Sequence, residues 1–424
     1  MTSELIVLLN ERSTGIVRQD RRSRLKFVYD DEWREARGAY PLSLSMPLAA
    51  SEHDHAVIDA YLWGLLPDNE FILGKWAQKF QVSARNAFAL ISNVGEDCAG
   101  AVQFVRPERL DGLLAAGPGE IDWIDEQDIA SRLKTLRADH SAWRRPQDTG
   151  QFSLAGAQPK TALYYENGRW GVPSGRMPTT HILKPPTGEF DGRAENEHFC
   201  LALARKLGLP TAGSSIQRFD NEIAIVIERY DRRRTANGVI RAHQEDICQA
   251  LGIPPTKKYQ NEGGPGIADI VTLLEGASTA ARDDIDTILR AAALNWLIAG
   301  TDAHAKNYSV LIGAGGRARL APLYDLASAL PYDEFDFQKL KLAMKIGGEY
   351  RLRDIGKRQW MKTAETLKID AEAMLALVSE IAAAMLDAAD QVRRTIQNQG
   401  VTHPVIDKAA KRIAARARTC IKTL

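Results

Sequence analysis

The pattern of hydrophobic residues changes near Asp231, and this change restricts the folds the chain can adopt. Between residues 151 and about 230, short strand-like runs alternate around one helical stretch, ENEHFCLALARKLGL. Gly208 and Pro210 close that stretch, as is typical of a helix end. Beyond Asp231 helical periodicity dominates, as in DIDTILRAAALNWLIAG. This order predicts an α+β protein in which an antiparallel sheet carrying one helix precedes a mostly helical lobe.

Two further segments precede this sheet. Residues 1–105 begin with strand-like runs such as ELIVLL and continue with helical spacing, which predicts a small α+β module. Residues 106–150 combine polar turns with one amphipathic helix and are interpreted as a connector, with the main boundary near Arg145. The predicted organisation is an N-terminal module (1–105), a connector (106–150), a sheet-rich lobe (151–230) and a helical lobe (231–424).

Composition and charge exclude several classes of protein. The 424 residues are 45% hydrophobic and 26% charged, so wholesale disorder is excluded. The net charge of +1 provides no global attraction to nucleic acid or to an anionic membrane. The cysteines lie far apart without a CxxC pair, which argues against a disulfide framework or a zinc site. Glu4 stands where a signal peptide needs positive charge, and no apolar run approaches about 18 residues, so we expect a cytoplasmic protein without membrane association.

Polar residues cluster where an apolar helix gives way to a strand-like run. In NWLIAGTDAHAKNYSVLI, the cluster contains Asp302, His304, Lys306 and Asn307. Taken alone, such a cluster is more typical of a solvated loop at a helix end. The D-x-x-x-x-N spacing of Asp302 and Asn307 is, however, that of kinase catalytic loops, in which the Asp accepts a hydroxyl proton and the Asn holds a metal ion.

A second carboxylate follows one hairpin later. LAPLYDLAS places Asp325 at the end of a second strand, after a turn at residues 313–316. Asp325 alone is more typical of a turn, whereas its pairing with the preceding loop is much more specific. Phosphoryl transfer needs Mg²⁺ to meet the charge that develops on the phosphates, and hard oxygen ligands on a rigid hairpin hold that ion.

A lysine and two glutamates upstream fit the same chemistry. Lys184 ends the apolar run of THILKPP, comparable to the strand lysine of kinases that contacts nucleotide phosphates. Glu195 or Glu197, near the start of the next helix, is the candidate partner for an ion pair with it. The ordinary alternatives are an exposed strand-end lysine and acidic residues that favour a helix N-terminus.

Two more segments are candidates for nucleotide contacts. FSLAGAQPK supplies Ser153, Gly156 and Lys160 in a short loop whose backbone N–H groups could cover phosphates, although a plain β-turn is the better explanation of this segment in isolation. IERYDRR lies where the sheet-rich part meets the helical part. Its residues 228–230 are placed to read an adenine edge, as a kinase hinge does.

Taken together, these motifs resemble the HipA family of bacterial serine/threonine kinase toxins. The resemblance spans residues 151 to about 345 in family order and extends to the N-terminal module through YLWGLLPDN and NVGEDCAGAVQF. The motifs that carry it are SLAGAQPKTAL, HILKPP, ENEHFCLALARKLGLP, IERYDRR, HQEDICQALGIPPTKKY, TDAHAKNYSVLI and LAPLYDLASALPY.

The resemblance implies a two-lobed kinase fold, similar to protein and phosphoinositide kinases, that uses ATP and Mg²⁺. It makes Asp302 the catalytic base, Asn307 and Asp325 the metal ligands, and Ser153 the site of autophosphorylation. His304 follows the aspartate instead of preceding it, an order that resembles phosphoinositide-type kinases. The implied ATP-binding residues are Ala155, Gly156, Ala157, Gln158, Lys160, Lys184, Glu228, Arg229, Tyr230, His304, Lys306, Asn307, Tyr324 and Asp325.

The resemblance also implies partners. Family members act with a small HipB-like helix-turn-helix antitoxin and repress their own operator DNA as a complex, and the substrate class it suggests is an aminoacyl-tRNA synthetase. The basic C-terminal helix offers Lys411, Arg412 and Arg416 as possible contacts to DNA phosphates, while a solvated terminal helix is the alternative. Two other functions stay open: a small-molecule phosphotransferase and a catalytically silent corepressor.

Overall fold

The computed structural model describes residues 3–115, 117, 119–145, 148, 152–188, 190–236 and 238–424. The chain folds into two compact units. The first unit comprises Met1–Pro185, Gln217–Thr256 and Ser309–Ala318, and the second comprises Pro186–Ile216, Lys257–Tyr308 and Arg319–Leu424. The predicted limit between connector and sheet-rich lobe, at residues 150 and 151, lies outside the described residues.

The secondary-structure elements are numbered in chain order. The strands are β1 (Ser3–Leu9), β2 (Arg12–Gln19), β3 (Leu25–Tyr29), β4 (Glu52–Asp54), β5 (Val102–Val105), β6 (Ile121–Ile124), β7 (Thr161–Glu166), β8 (Arg169–Pro173), β9 (His181–Lys184), β10 (Ser214–Phe219), β11 (Glu222–Glu228), β12 (Arg232–Thr235), β13 (Gly238–Arg241), β14 (His243–Asp246), β15 (Ser309–Gly313), β16 (Arg317–Leu320), β17 (Lys341–Ile346) and β18 (Glu349–Arg351). The helices are α1 (Asp31–Glu35), α2 (His55–Gly64), α3 (Glu70–Phe80), α4 (Ala87–Val94), α5 (Pro107–Ala115), α6 (Glu126–Ala138), α7 (Arg193–Lys206), α8 (Ile247–Ala250), α9 (Ile267–Ala277), α10 (Ala281–Ile298), α11 (Lys357–Leu367), α12 (Ala371–Asn398) and α13 (Pro404–Ile421).

A five-stranded antiparallel sheet begins the first unit, with strand order β4-β3-β2-β1-β5. Alternate residues of β1 enter opposite sides of it: Leu5 and Val7 join the main core, whereas Leu8 packs with Leu113 of α5. Helices α2, α3 and α4 contribute further residues to the main core, including the buried Tyr61. Residues 1–105 thus combine strands with helices.

A six-stranded sheet follows, with strand order β10-β11-β9-β7-β8-β6. Its edge strand β6 and helix α6 come from the segment interpreted as a connector. Ile129 and Leu133 of α6 pack with Leu183, Phe219 and other residues of the sheet. The sequence does not predict β6, because its four residues include no fully buried position and show too little alternation of apolar and polar side chains. This segment is therefore part of the sheet layer.

Helices dominate the second unit. The predicted helical lobe (231–424) begins instead with strands, and these strands belong to the first unit. Residues 232–246 form the short strands β12, β13 and β14, whose four residues each are too few for a strand pattern, and β14 (HQED) is entirely polar. Helices α7 and α9 to α13 form the helical part, in which Trp296 and Trp360 are fully buried and lie 5.7 Å apart between ring centres. Within the described residues, none of the helices is both long and apolar enough to span a bilayer.

Candidate active site

The predicted catalytic loop follows α10 and leads into β15. Helix α10 ends where Ala299 takes a left-handed conformation (φ 54°), and a short 3-10 turn at Ala305–Asn307 precedes the strand. The side chain of Asp302 is 63% exposed. The hydroxyl of Tyr259 donates a hydrogen bond to its Oδ1 at 2.5 Å. The loop therefore presents one carboxylate to solvent and fixes one of its two oxygens.

The rest of this loop is held from inside. Asn307 donates through Nδ2 to the backbone carbonyl of Asp302 at 2.8 Å, which closes the loop on itself. His304 is buried, with its Nε2 4.0 Å from Oδ1 of Asp302 and its ring edge-on to Tyr259 at 4.9 Å. Lys306 is also buried, and its carbonyl oxygen accepts a hydrogen bond from Tyr324 at 2.7 Å. The structure thus places His304 beside the carboxylate.

The second predicted carboxylate lies in a left-handed turn beside Tyr324. Asp325 has φ 55°, a conformation that most residues with a Cβ avoid and that Asn and Asp adopt more readily. Its side chain is exposed. Because Tyr324 binds the carbonyl of Lys306, the turn that carries Asp325 is tied to the loop that carries Asn307. Conformations of this kind persist where surrounding contacts hold them and cluster at functional sites.

The oxygen atoms that this loop and turn offer as ligands fit Mg²⁺. Asn307 uses its nitrogen for the internal hydrogen bond, which leaves the amide oxygen as its acceptor end, and Asp325 supplies carboxylate oxygens. Mg²⁺ prefers oxygen ligands and usually binds one or two protein groups together with water and substrate phosphates. In the part of the chain that is described, no three His, Cys, Asp or Glu side chains group as a metal site. Asn307 and Asp325, together with water and substrate phosphates, would supply the oxygen ligands that Mg²⁺ prefers.

The predicted phosphate loop belongs to the first unit and is folded against the segment after α2. Ser153 is 1% exposed and its hydroxyl donates to the carbonyl of Leu65 at 2.7 Å. Gly156 takes φ 99°, and its carbonyl accepts from the N–H of Asp68 at 3.2 Å. Lys160 reaches back to the carbonyl of Ala155 at 2.6 Å. Ala157 and Gln158 lie at the exposed and half-exposed tip of the same loop.

The remaining nucleotide candidates of the first unit lie on or after neighbouring strands. Lys184 ends β9, is buried, and pairs in register with Ile225 of β11. Glu228 ends β11 with an exposed side chain. The hydroxyl of Tyr230 donates to Gln244 at 2.6 Å. The pairing of Lys184 with Glu195 or Glu197 of the second unit stays a prediction.

Sequence reasoning missed a buried ionic cluster in the first unit. Asp97, at the end of the N-terminal module, binds Arg232 at 2.8 Å and Arg241 at 3.2 Å. Arg229, predicted at the adenine, directs its guanidinium to Asp231 at 2.8 Å, and Asp231 also pairs with Arg232. The side chain of Arg229 is thus committed inside the protein, and only its backbone can serve a nucleotide. Four of these charges lie in NVGEDCAG and IERYDRR and the fifth is Arg241, but nothing in the sequence shows that they meet.

Electrostatics in this cluster favour the ionised form of Asp97. Burial alone would raise the pKa of Asp97, but the guanidinium groups of Arg232, Arg241 and Arg229 together outweigh burial and hold the pKa well below its ordinary value. Burial lowers the pKa of Arg232 to about 10, with the neighbouring Arg229 acting in the same direction. Removal of a carboxylate would leave buried guanidinium groups without compensation.

The three predicted DNA contacts of the basic C-terminal helix differ in their surroundings. Lys411 is exposed. Arg412 donates to the carbonyl of Leu330 at 2.8 Å and pairs with Asp333. Arg416 donates to the carbonyl of Trp296 at 3.0 Å. Two of the three predicted DNA contacts therefore bind their own chain, because an amphipathic terminal helix needs to dock one face.

Comparisons with known proteins identify the family. The model of the HipA N-terminal domain matches residues 5–105, and that of the HipA-like C-terminal domain matches residues 152–389. The protein Y4mE of Sinorhizobium fredii is 35% identical over 415 residues, 96% of each chain. The serine/threonine-protein kinase toxin HipA of Shewanella oneidensis is 32% identical over 340 residues, which is 76% of this chain and 73% of that protein.

A solved structure extends the similarity to the whole chain. It is that of the Shewanella oneidensis MR-1 toxin-antitoxin system HipA, HipB and its operator DNA complex, with a TM-score of 0.83, 26% identity, and coverage of 99% of this chain and 97% of that chain. The predicted α+β, protein-kinase-like fold is confirmed by this match. By class, the protein is a serine/threonine-protein kinase. The chain belongs to the HipA family of kinase toxins, which confirms the resemblance stated from its motifs.

Proposed function

We propose that this protein transfers the γ-phosphoryl group of ATP, in the presence of Mg²⁺, to serine or threonine hydroxyls of a protein, and thereby arrests growth as a toxin. The observation that carries this proposal is the loop in which Tyr259 holds one oxygen of Asp302 at 2.5 Å and Asn307 closes on the backbone of Asp302 at 2.8 Å. Tyr324 ties the turn of Asp325 to the same loop. Kinases use this set of groups to orient a hydroxyl and to hold Mg²⁺.

Each residue has a defined task in this proposal. Asp302 accepts the proton of the substrate hydroxyl through its solvent-facing carboxylate, while Tyr259 keeps that carboxylate in one orientation. Asn307 and Asp325 would hold Mg²⁺ through oxygen atoms. When bound, the ion neutralises charge on the transferred phosphoryl group. The phosphate loop at residues 155–160 and Lys184 contact the phosphates of ATP, and the backbone of residues 228–230 contacts the adenine.

Autophosphorylation of Ser153 would switch this kinase off. The Ser153 hydroxyl is buried and bonded to the carbonyl of Leu65, so it cannot accept a phosphate while the loop stays in place. A dianionic phosphate at this position would be expelled from a buried site and would repel ATP. Phosphorylation therefore requires the loop to leave its position and then prevents its return.

Growth tests show whether growth arrest depends on phosphoryl transfer. In cells that produce the wild-type chain, we expect growth arrest and phosphoserine or phosphothreonine on an aminoacyl-tRNA synthetase, because synthetases are the proposed substrates. Asp302→Ala should abolish both effects. Arrest that survives in Asp302→Ala would contradict the kinase-toxin function, and stimulation of ATP turnover by metabolites instead of protein would favour a small-molecule phosphotransferase.

A second proposed function is corepression with a HipB-like antitoxin. The observation that favours it is the match over 99% of this chain to a HipA solved with HipB and operator DNA. We expect Asp302→Ala to retain operator binding in complex with the antitoxin, measured by mobility shift, because the catalytic carboxylate is not needed to bind DNA. Loss of operator binding in a folded Asp302→Ala protein would contradict this second function.

A further inference from the structure

Asn196, in the first turn of α7, directs both ends of its amide to the backbone of one residue. Asn196 is 1% exposed. Its Nδ2 donates to the carbonyl of Ser328 at 2.8 Å, and its Oδ1 accepts from the N–H of Ser328 at 3.2 Å. The hydroxyl of Tyr332 lies 3.2 Å from the same Nδ2. Because a buried amide is costly unless it is hydrogen-bonded, these contacts specify both the side chain and the position of the segment it holds.

The segment that Asn196 holds is the one that carries Asp325. On the N-terminal side, the N–H of Leu323 donates to the carbonyl of Pro210 at 2.8 Å, and Leu323 accepts in turn from the N–H of Ala212 at 2.9 Å. On the C-terminal side, the hydroxyl of Ser328 donates to the carbonyl of Ile298 at 2.5 Å, in addition to the two bonds from Asn196. The segment is therefore fixed on both sides of Asp325.

The left-handed backbone at Asp325 makes the shape of this turn depend on the hydrogen bonds on either side of it. With φ 55°, Asp325 lies in the left-handed region, which most residues with a Cβ avoid and which Asp adopts mainly in turns, so contacts on its flanks help to hold the turn in shape. Ser328 lies three positions after Asp325. Loss of the Asn196 amide would remove two of the hydrogen bonds that fix this flank and give the backbone at Asp325 more freedom. The carboxylate would then move relative to the loop that carries Asn307.

We propose that Asn196 is a positioning residue for the metal-binding carboxylate of Asp325. This inference rests on the proposed function, in which Asp325 and Asn307 hold Mg²⁺. Asn196 does not touch the ion in this mechanism, and it acts through the backbone of Ser328. It is also distinct from the neighbouring Glu195 and Glu197, which were the candidates for pairing with Lys184.

Binding of Mn²⁺, a paramagnetic substitute for Mg²⁺, tests this assignment without catalysis. The full-length protein is titrated with MnCl2 in the presence of a non-hydrolysable ATP analogue, and free Mn²⁺ is followed by electron paramagnetic resonance. Asn196→Ala should raise the dissociation constant for Mn²⁺ about ten- to hundredfold, the usual loss when a residue that orients a metal ligand is removed. Asn196→Asp keeps the acceptor for the N–H of Ser328 and loses the donor, so its effect should be smaller.

Two further variants make the result decisive. Thr363→Val removes a different buried polar group of the same unit, a hydroxyl that binds Gln359 and Gly347, and should leave Mn²⁺ affinity unchanged whatever it does to the melting temperature. Asp325→Asn should weaken Mn²⁺ binding directly. If Asp325→Asn weakens binding while both Asn196 variants stay within about twofold of wild type, the positioning role is wrong. If Asp325→Asn has no effect, the proposed metal site fails and the role of Asn196 fails with it.

A kinetic readout distinguishes positioning from a general loss of structure. In Asn196→Ala, the Mg²⁺ concentration needed for half-maximal ATP turnover should rise, whereas turnover at saturating Mg²⁺ should largely recover. A merely destabilised protein would lose turnover at every Mg²⁺ concentration. Should Asn196→Ala not fold, the same comparison is made with Asn196→Asp, and an unchanged Mg²⁺ requirement in that variant would contradict the proposal.

Discussion

Asp302 is oriented by a tyrosine that lies 43 positions earlier in the chain. The chemical groups themselves were predictable, because Asp302, Asn307 and Asp325 lie close together in the sequence at a recognisable spacing. Tyr259 and Asn196 were not predictable as partners of these groups, because a single sequence does not indicate which distant residues meet. Tyr259 ends the motif HQEDICQALGIPPTKKY and Asn196 lies between Glu195 and Glu197, but neither position in the sequence indicates its contact partner.

Tyr259→Phe tests whether this orientation matters. The variant keeps the ring packed on His304 and removes only the hydroxyl that donates to Asp302. A hydrogen bond is worth about 0.5–1.5 kcal/mol, so we expect kcat to fall roughly two- to tenfold while KM for ATP stays unchanged. Steady-state kinetics with a protein substrate measure both constants, with Tyr350→Phe in the β17–β18 hairpin as the control. An unchanged kcat would show that Tyr259 does not orient the base.

Substitutions at Ser153 test the coupling between charge and the phosphate loop. Ser153→Asp places a carboxylate in a position that is 1% exposed and opposite the carbonyl of Leu65, so the loop should leave its position. We expect KM for ATP to rise at least about tenfold and proteolysis near residue 153 to accelerate. Ser153→Asn has nearly the same shape without the charge and should retain much of the affinity. Equal KM values in the two variants would contradict a charge-driven release.

Residues 106–150 show why a short element escapes prediction. The sequence predicts a connector there, yet β6 forms the edge of the six-stranded sheet and α6 packs on it. Helix α6 was visible through its apolar spacing, but its partners in the sheet were not. An edge strand of four residues shows no alternation, and polar turns on either side dominate the local composition. The three short strands after Asp231 were missed for the same reason.

Leu133→Ala separates a folded layer from a connector. Leu133 is fully buried between α6 and the sheet, so truncation should lower the free energy of unfolding by about 2–5 kcal/mol. Chemical denaturation of the wild type and the variant measures this difference. Lys134→Ala changes an exposed residue of the same helix and should be nearly neutral. A neutral Leu133→Ala would indicate that α6 does not contribute to the core.

The two domains recognised by the family models meet within the first unit through the buried cluster around Asp97. Asp97 belongs to the segment matched as the HipA N-terminal domain, whereas Arg229, Asp231, Arg232 and Arg241 belong to the HipA-like C-terminal domain. The α+β class and the order of motifs could be read from the sequence. The joining of these domains could not be read, because Asp97 meets a group of four charged residues between 229 and 241, more than 130 positions later in the chain, and none of these charges stands out in a net charge of +1.

The cluster should make stability sensitive to acid. The pKa of both Asp97 and Asp231 is lowered in the folded protein, so below the unfolded value of about 4 the unfolded state binds more protons. The contribution of these two carboxylates to the free energy of unfolding should therefore be complete at neutral pH and should fall as the pH drops below about 4. Asp97→Asn should lose about 3–5 kcal/mol at pH 7 and show a weaker dependence on acid. Denaturation at several pH values measures both effects.

The control for this prediction is Asp122→Asn, which changes an exposed carboxylate on β6. We expect it to match the wild type at neutral and at acid pH. If Asp97→Asn kept the acid dependence of the wild type, the buried cluster would not be its source.

The most direct measurement of the proposed chemistry is intact mass and phosphopeptide mapping after the purified chain is incubated with Mg-ATP alone. ADP formation is followed in the same samples, and Asp302→Asn is treated in parallel. We predict a gain of one phosphate on Ser153 in the wild type and none in Asp302→Asn. A wild-type protein whose Ser153 starts unmodified and that gains no phosphate and forms no ADP, or equal phosphorylation of both proteins, would contradict Asp302 as the catalytic base.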